Sequence, residues 1–132
     1  MENTYKIDIV SPEHLVFSDE KIQEVVLPSY EGELGILHNH IPLISFLKPG
    51  IIKIFKSNEK INSFFVEDGI IEFNNNILTV LSSKITDLKN LKKENINQLI
   101  AETEKLLGEK ELNDNDRYLA NHKMNTLKLL LN

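Results

Sequence analysis

The residues best equipped for chemistry crowd into one stretch, Glu31-Gly32-Glu33-Leu34-Gly35-Ile36-Leu37-His38-Asn39-His40, which sets two carboxylates and two imidazoles within ten residues. A small hydrolase would use Glu31 or Glu33 as acid or base, with His40 as the partner. A metal site would use His38 and His40 with a carboxylate, a donor set that suits zinc or iron. Neither pattern is specific: no third histidine stands nearby, and His14 and His122 are distant in the sequence. The two glycines fit a tightly bent loop with a solvated acidic rim better than a reaction centre. The stretch therefore reads as an interface, and no catalytic residue, metal ligand or cofactor is expected. Other chemistries lack their motifs as well. Gly32 and Gly35 are not followed by Gly-Lys-Ser/Thr, so there is no Walker-type phosphate loop, and no serine lies in a Gly-x-Ser-x-Gly elbow.

Charge narrows the choice further. The net charge is -5. Up to Thr86 there are 7 Lys against 12 acids, whereas from Asp87 onward 8 basic and 8 acidic residues balance. Nucleic-acid binding needs a concentrated basic face that displaces counterions, and neither part has one. Arg117 is the only arginine against 14 Lys, so the planar forks that grip phosphates and carboxylates are nearly missing. Lys89, Lys92 and Lys93 interleave with Glu94, Glu102 and Glu104, the pattern of a solvated helix face with local ion pairs. With no cysteine, stability must come from packing. Apolar runs such as Ile41 to Leu47, which contains Pro42, fall well short of the roughly 20 residues that span a bilayer. The opening Met-Glu-Asn-Thr-Tyr-Lys carries neither an apolar nor an arginine-rich targeting pattern, and a soluble protein is expected.

Two kinds of element must hold these residues. All four prolines and four of the five glycines precede residue 70, which marks a boundary near Lys84 to Asp87 and divides the chain into residues 1–86 and 87–132. In the first part, short β-branched and aromatic segments recur at about 8 to 12 residues, the pattern of an antiparallel sandwich or barrel. They are Tyr5-Ile7-Ile9, Leu15-Phe17, Ile22 with Val25 to Leu27, Ile51 to Phe55, Ile61 with Phe64 to Val66, Ile70 to Phe73 and Ile77 to Leu81. Ser57-Asn58-Glu59, Asp68-Gly69 and Asn74-Asn75-Asn76 supply turn chemistry between them. In the second part Ile96, Leu99, Ile100, Thr103, Leu106 and Leu107 share one helical face, and Gly108 is placed to end that helix. Asn113 to Asp116 offer caps for a second helix carrying Ala120, Met124, Leu127, Leu130 and Leu131 on one side. Two such helices fold back as an antiparallel hairpin too small to be stable unsupported.

Val10-Ser11-Pro12, Phe17, Val25 to Pro28, and above all the string from Glu31 through His40 and Pro42-Leu43 to Leu47-Lys48-Pro49-Gly50-Ile51 resemble the epsilon subunit of bacterial F-type ATP synthases. Gly69 to Phe73 and Leu78 to Leu81 continue the likeness, which covers essentially the whole chain. The resemblance implies a flattened β-sandwich of about ten strands followed by a two-helix hairpin. It implies a non-catalytic subunit of a proton-translocating complex, docked on the central gamma stalk and on the ring of membrane c subunits. Such a subunit is peripheral, at the cytoplasmic face of the bacterial inner membrane. Glu31, Gly32 and Glu33 would face the c ring, with His38, His40 and Pro42 close by. An extended hairpin would reach the alpha/beta head and block ATP hydrolysis. Some relatives bind ATP through Ile/Leu-Asp-x-x-Arg-Ala at the first helix, but here Lys92, Asn95 and Ile96 replace Asp, Arg and Ala, so ATP binding is expected to be weak or absent. A free-standing sandwich module that binds an unrelated protein is the competing reading.

Overall fold

The computed structural model describes residues 3–57 and 60–131. Nine strands come first among these residues: β1 (Tyr5–Val10), β2 (Leu15–Ser29), β3 (Gly32–Leu37), β4 (Leu43–Leu47), β5 (Gly50–Lys56), β6 (Ile61–Val66), β7 (Gly69–Asn74), β8 (Ile77–Leu81) and β9 (Ile85–Asp87). A 3-10 turn (Leu88–Asn90) leads to α1 (Lys93–Leu107) and α2 (Asp114–Leu130).

This matches the expected sandwich of about ten strands followed by a helical hairpin, with Leu15-Phe17 and Ile22 to Leu27 joined in one 15-residue strand. Its first half pairs with β1, and its second half pairs with β3 and β5. Register shifts at Ile22 in both pairings let β2 bend from one layer of the sandwich into the other. One layer is thus β1-β8-β7-β4, and the other is β3-β2-β5-β6-β9. All pairings are antiparallel except β1 with β8, which runs parallel.

Alternation explains the core. Tyr5, Ile7 and Ile9 of β1, with Leu78 and Val80 of β8 and Ile71 and Phe73 of β7, meet Val25, Leu27, Ile36, Ile52, Ile54, Phe64 and Val66 from the facing layer. Tyr5 brings a hydroxyl into this core and donates it to the Ile36 carbonyl at 2.6 Å, and burial holds its pKa well above the usual phenol range. Asn75 and Asn76 both adopt left-handed backbone (φ 52 and 59), the geometry of a tight hairpin turn with its twist matched to the strands. Of the other expected turns, Asn58 and Glu59 lie outside the described residues.

The helices rest on the outer face of β5 and β6. There the strand period turns Ile51 and Phe65 outward, and they join Ile96 of α1 and Leu127 of α2 in a second, smaller cluster. Asn113 caps α2 by accepting the Asp116 amide at 2.7 Å, and α1 ends at Gly108. Buried Thr103 satisfies its hydroxyl on the Leu99 carbonyl at 2.7 Å.

Candidate functional site

The turn between β2 and β3 is braced from both sides. Ser29 donates its hydroxyl to the Gly32 carbonyl (2.7 Å) and accepts the Glu31 amide (3.3 Å), while the Tyr30 amide donates to Phe46 of β4 (3.1 Å). Gly32 takes φ 122, a backbone state closed to ordinary side chains. Glu31 and Glu33 project from this turn, both exposed and without an ion-pair partner among the described residues.

His38, His40 and Pro42 lie at the other end of β3, in its connection to β4. Six strand residues separate the two ends, a span of about 20 Å. The acidic turn and the histidine loop are therefore not neighbours, and the Glu33–His40 pair that a hydrolase would need is not assembled. The loop is held by an exchange between two asparagines: the Asn39 amide donates to Asn76 Oδ1 (2.7 Å), and Asn76 Nδ2 donates to Asn39 Oδ1 (2.9 Å). Asn39 adopts φ 65. His40 is committed to structure, its Nδ1 at 2.8 Å from the Ile41 carbonyl and its ring edge-on to Phe73. Since a carbonyl only accepts, Nδ1 carries the proton. Among the described residues, no three His, Asp or Glu side chains converge on a metal position. Ile41, at 73% exposure, forms the apolar tip of the loop.

A third feature is an apolar row on the outer face of the first layer. Register places Phe46 beside Ile70, Ile70 beside Leu81 and Leu81 beside Val10, so four apolar side chains cross β4, β7, β8 and β1 in line. Phe46, Ile70 and Leu81 are exposed, as is Ile44 one pleat along β4. With Pro12 the row lines an open groove of about 620 Å³. Exposed apolar surface of this continuity marks an interaction face. Each strand shows only one or two of these residues, and strand pairing is what aligns them, so they had not stood out in the sequence.

Residues 4–87 match the model of the ATP synthase delta/epsilon chain β-sandwich domain. The chain belongs to this family. It is 47% identical over 131 residues to the ATP synthase epsilon chain of Pelagibacter ubique, covering 98% of this chain and 99% of that one. It is 34% identical to the ATP synthase epsilon chain of Dichelobacter nodosus, covering 98% and 90%. A chain in the Euglena gracilis mitochondrial ATP synthase structure (OSCP/F1/c-ring, rotational state 1) shares the fold at TM-score 0.79 and 15% identity, covering all of this chain and 83% of its own length.

Within this family member, the positions of the ATP motif are occupied by other work. Asn95 Oδ1 accepts the Lys92 amide at 3.2 Å and so closes the start of α1, and Ile96 is buried in the second cluster. Arg117 is spent on the helical turn, donating to the Leu107 and Glu109 carbonyls at 3.1 and 3.3 Å. Lys123 pairs with Glu67 at 2.6 Å and ties α2 to the sandwich, while Lys48 lies 6.0 Å from the Tyr118 ring centroid, over its face. Tyr118 in turn stacks edge-on against His122 at 4.5 Å. Partial burial, and the Lys48 charge after it, hold the His122 pKa below its ordinary value.

Proposed function

We propose that this chain is the epsilon-type coupling subunit of a proton-translocating ATP synthase, a rotor component that makes and breaks no bond with its own side chains. The observation that carries this reading is the end-to-end correspondence with an ATP synthase epsilon chain, 98% of this chain against 99% of the other. The acidic turn at Glu31, Gly32 and Glu33 meets polar loops of the c ring, where its unpaired carboxylates give orientation and specificity. The loop carrying His38, His40 and Pro42 stands too far from that turn to share one small contact. It joins Ile41, Ile44 and Phe46 in a continuous surface that, with Ile70, Leu81 and Val10, docks on the gamma stalk. In this reading the sandwich, residues 1–86, transmits torque, and the hairpin, residues 87–132, is a separate element able to reach the alpha/beta head.

No described helix is long and apolar enough to cross a membrane. Attachment to the cytoplasmic face of the bacterial inner membrane would thus come through partners. Gentle extraction from membranes tests the assignment: the chain should migrate with alpha, beta and gamma, and migration apart from them would end it. Comparing ATPase rates of the assembled head with the full chain and with a version ending near Lys84 tests the hairpin. A higher rate after truncation marks it as inhibitory, and an unchanged rate leaves it a structural role.

A further inference from the structure

The outer edge of β3 carries an unused row of backbone hydrogen-bonding groups, and their direction follows from one proline. Pro28 sits opposite Glu33 in the β2–β3 ladder and has no N–H, so this pair cannot exchange hydrogen bonds. The Pro28 carbonyl confirms the phase by turning away from β3 to accept the Lys48 amide at 3.0 Å. Alternation then assigns Gly32, Leu34 and Ile36 to bond β2, and directs the amides of Glu33, Gly35 and Leu37 outward. The Leu37 carbonyl, which accepts the His40 amide at 3.1 Å, points outward as this phase requires.

No strand pairs with this edge among the described residues, since β3 bonds only β2. The opposite edge of the same layer is unlike it: β9 is three residues long and runs directly into the 3-10 turn. An open edge of six residues without proline or lysine is a template for another strand. Gly35 presents no side chain and lets a second backbone approach. The rim is acidic, with Glu31 and Glu33 exposed and Glu24 so close that a Cβ on Gly35 would lie 3.1 Å from its Oε2. The lysines on that face, Lys53 opposite Val26 and Lys48 after β4, lie inward of the edge and line a cleft with Glu33. A second copy of this chain is disfavoured as the occupant, because antiparallel β3–β3 pairing about Gly35 sets Glu33 opposite Leu37 and gives the acidic rim no cationic partner.

We infer that the β3 edge accepts an extended, lysine- or arginine-bearing segment of a rotor partner as an added strand, bonded through the amides of Glu33, Gly35 and Leu37. This deepens the coupling reading and rests on it. The edge runs from the acidic turn to the histidine loop, so an added strand would bridge the end assigned to the c ring and the end assigned to gamma.

Residue-resolved amide hydrogen exchange on the isolated chain and on the complex reconstituted with gamma and the c ring tests it. In the isolated chain the amides of Glu33, Gly35 and Leu37 should exchange much faster than those of Gly32, Leu34 and Ile36. In the complex the outward three should slow by about a hundredfold or more. Gly35→Pro removes one outward donor without breaking the β2 ladder, and should weaken assembly about tenfold against a Gly35→Ala control while the thermal midpoint holds. A complex that forms with the outward amides at free-chain rates overturns strand addition and leaves the coupling role intact. Failure to assemble at all overturns both. Equal exchange of the two sets in the isolated chain, or protection that grows with its concentration, overturns the proposed edge.

Discussion

Leu127→Ala should release the helical hairpin while leaving the sandwich folded. Leu127 is fully buried, but its neighbours form a small cluster with Phe65 and Ile96, separate from the sandwich core. Truncating a buried leucine costs about 2–5 kcal/mol, with the larger values where the cavity stays rigid. Here the site borders a cleft of about 500 Å³ between α2 and the β2–β5 face, lined by Val26, Pro28, Ile51 and Leu130 among others. Helix and cleft walls can relax into the lost volume, so the lower part of that range applies, about 2–3 kcal/mol. At about 1.4 kcal/mol per factor of ten, the detached population should rise roughly 30- to 150-fold. Amide exchange reads this directly: protection across α1 and α2 should fall by that factor, while β1, β5, β7 and β8 keep theirs. Ile54→Ala, in the main core, is the contrasting variant and should lower protection in both parts. If Leu127→Ala lowered protection equally in strands and helices, or changed the helices by less than threefold, the claim of two separable cores would be wrong.

Lys123→Ala removes the ion pair with Glu67, whose side chains are 19% and 21% exposed; docking should weaken by at most about 1 kcal/mol, less in high salt, measured by the same exchange experiment. Acidification should loosen the hairpin through His122. Its folded pKa lies below the 6.5 of the free side chain, so the unfolded chain binds the proton first, and stability falls as pH drops from about 6.5 through the folded value and then levels off. His122→Gln should flatten that part of the profile in a pH series of thermal melts. Asp19 behaves as a depressed carboxylate beside Lys56, at 2.8 Å; its contribution is complete above pH 3.8 and disappears as pH falls through the lower folded value, a loss that Asp19→Asn should remove. Equilibrium dialysis should detect no low-micromolar ATP binding, because Asn95, Ile96 and Arg117 are already bonded or buried. Such binding, if found, would place a nucleotide site elsewhere on the chain.

The strands were legible because their inward residues alternate cleanly, as Tyr5, Ile7 and Ile9 do. The asparagine turn was legible because few residue types tolerate φ near 52 and 59 at consecutive positions. The joining of Leu15-Phe17 to Ile22–Leu27 was not, since Ser18 to Lys21 carry no apolar period and their pairing with β1 across the bend is a tertiary fact. The docking residues divide in the same way. Glu31 and Glu33 stand out locally, whereas the Phe46–Ile70–Leu81–Val10 row exists only once three strand pairings are set. The separation of Glu31 from His40 was hidden for a simpler reason: nine residues of sequence can be one turn or one strand, and here they include all of β3.

That geometry bears on how one small chain could both carry torque and hold a movable hairpin. The run Phe64-Phe65-Val66 is apolar on consecutive positions because β6 is covered on both faces, Phe64 and Val66 by the sandwich core and Phe65 by the helices. Loss of the hairpin would uncover Ile51 and Phe65 on β5 and β6, yet would leave the interior packing of Phe64 and Val66 in place. The apolar row proposed to meet gamma lies on the outer face of the other layer, across the full thickness of the sandwich. Hairpin release therefore need not disturb that contact. A mutation in the second cluster should alter hairpin position at constant stalk affinity, whereas Phe46→Ser should weaken stalk binding and leave exchange in α1 and α2 unchanged. Coupled responses in either variant would mean that the two faces communicate through the sandwich.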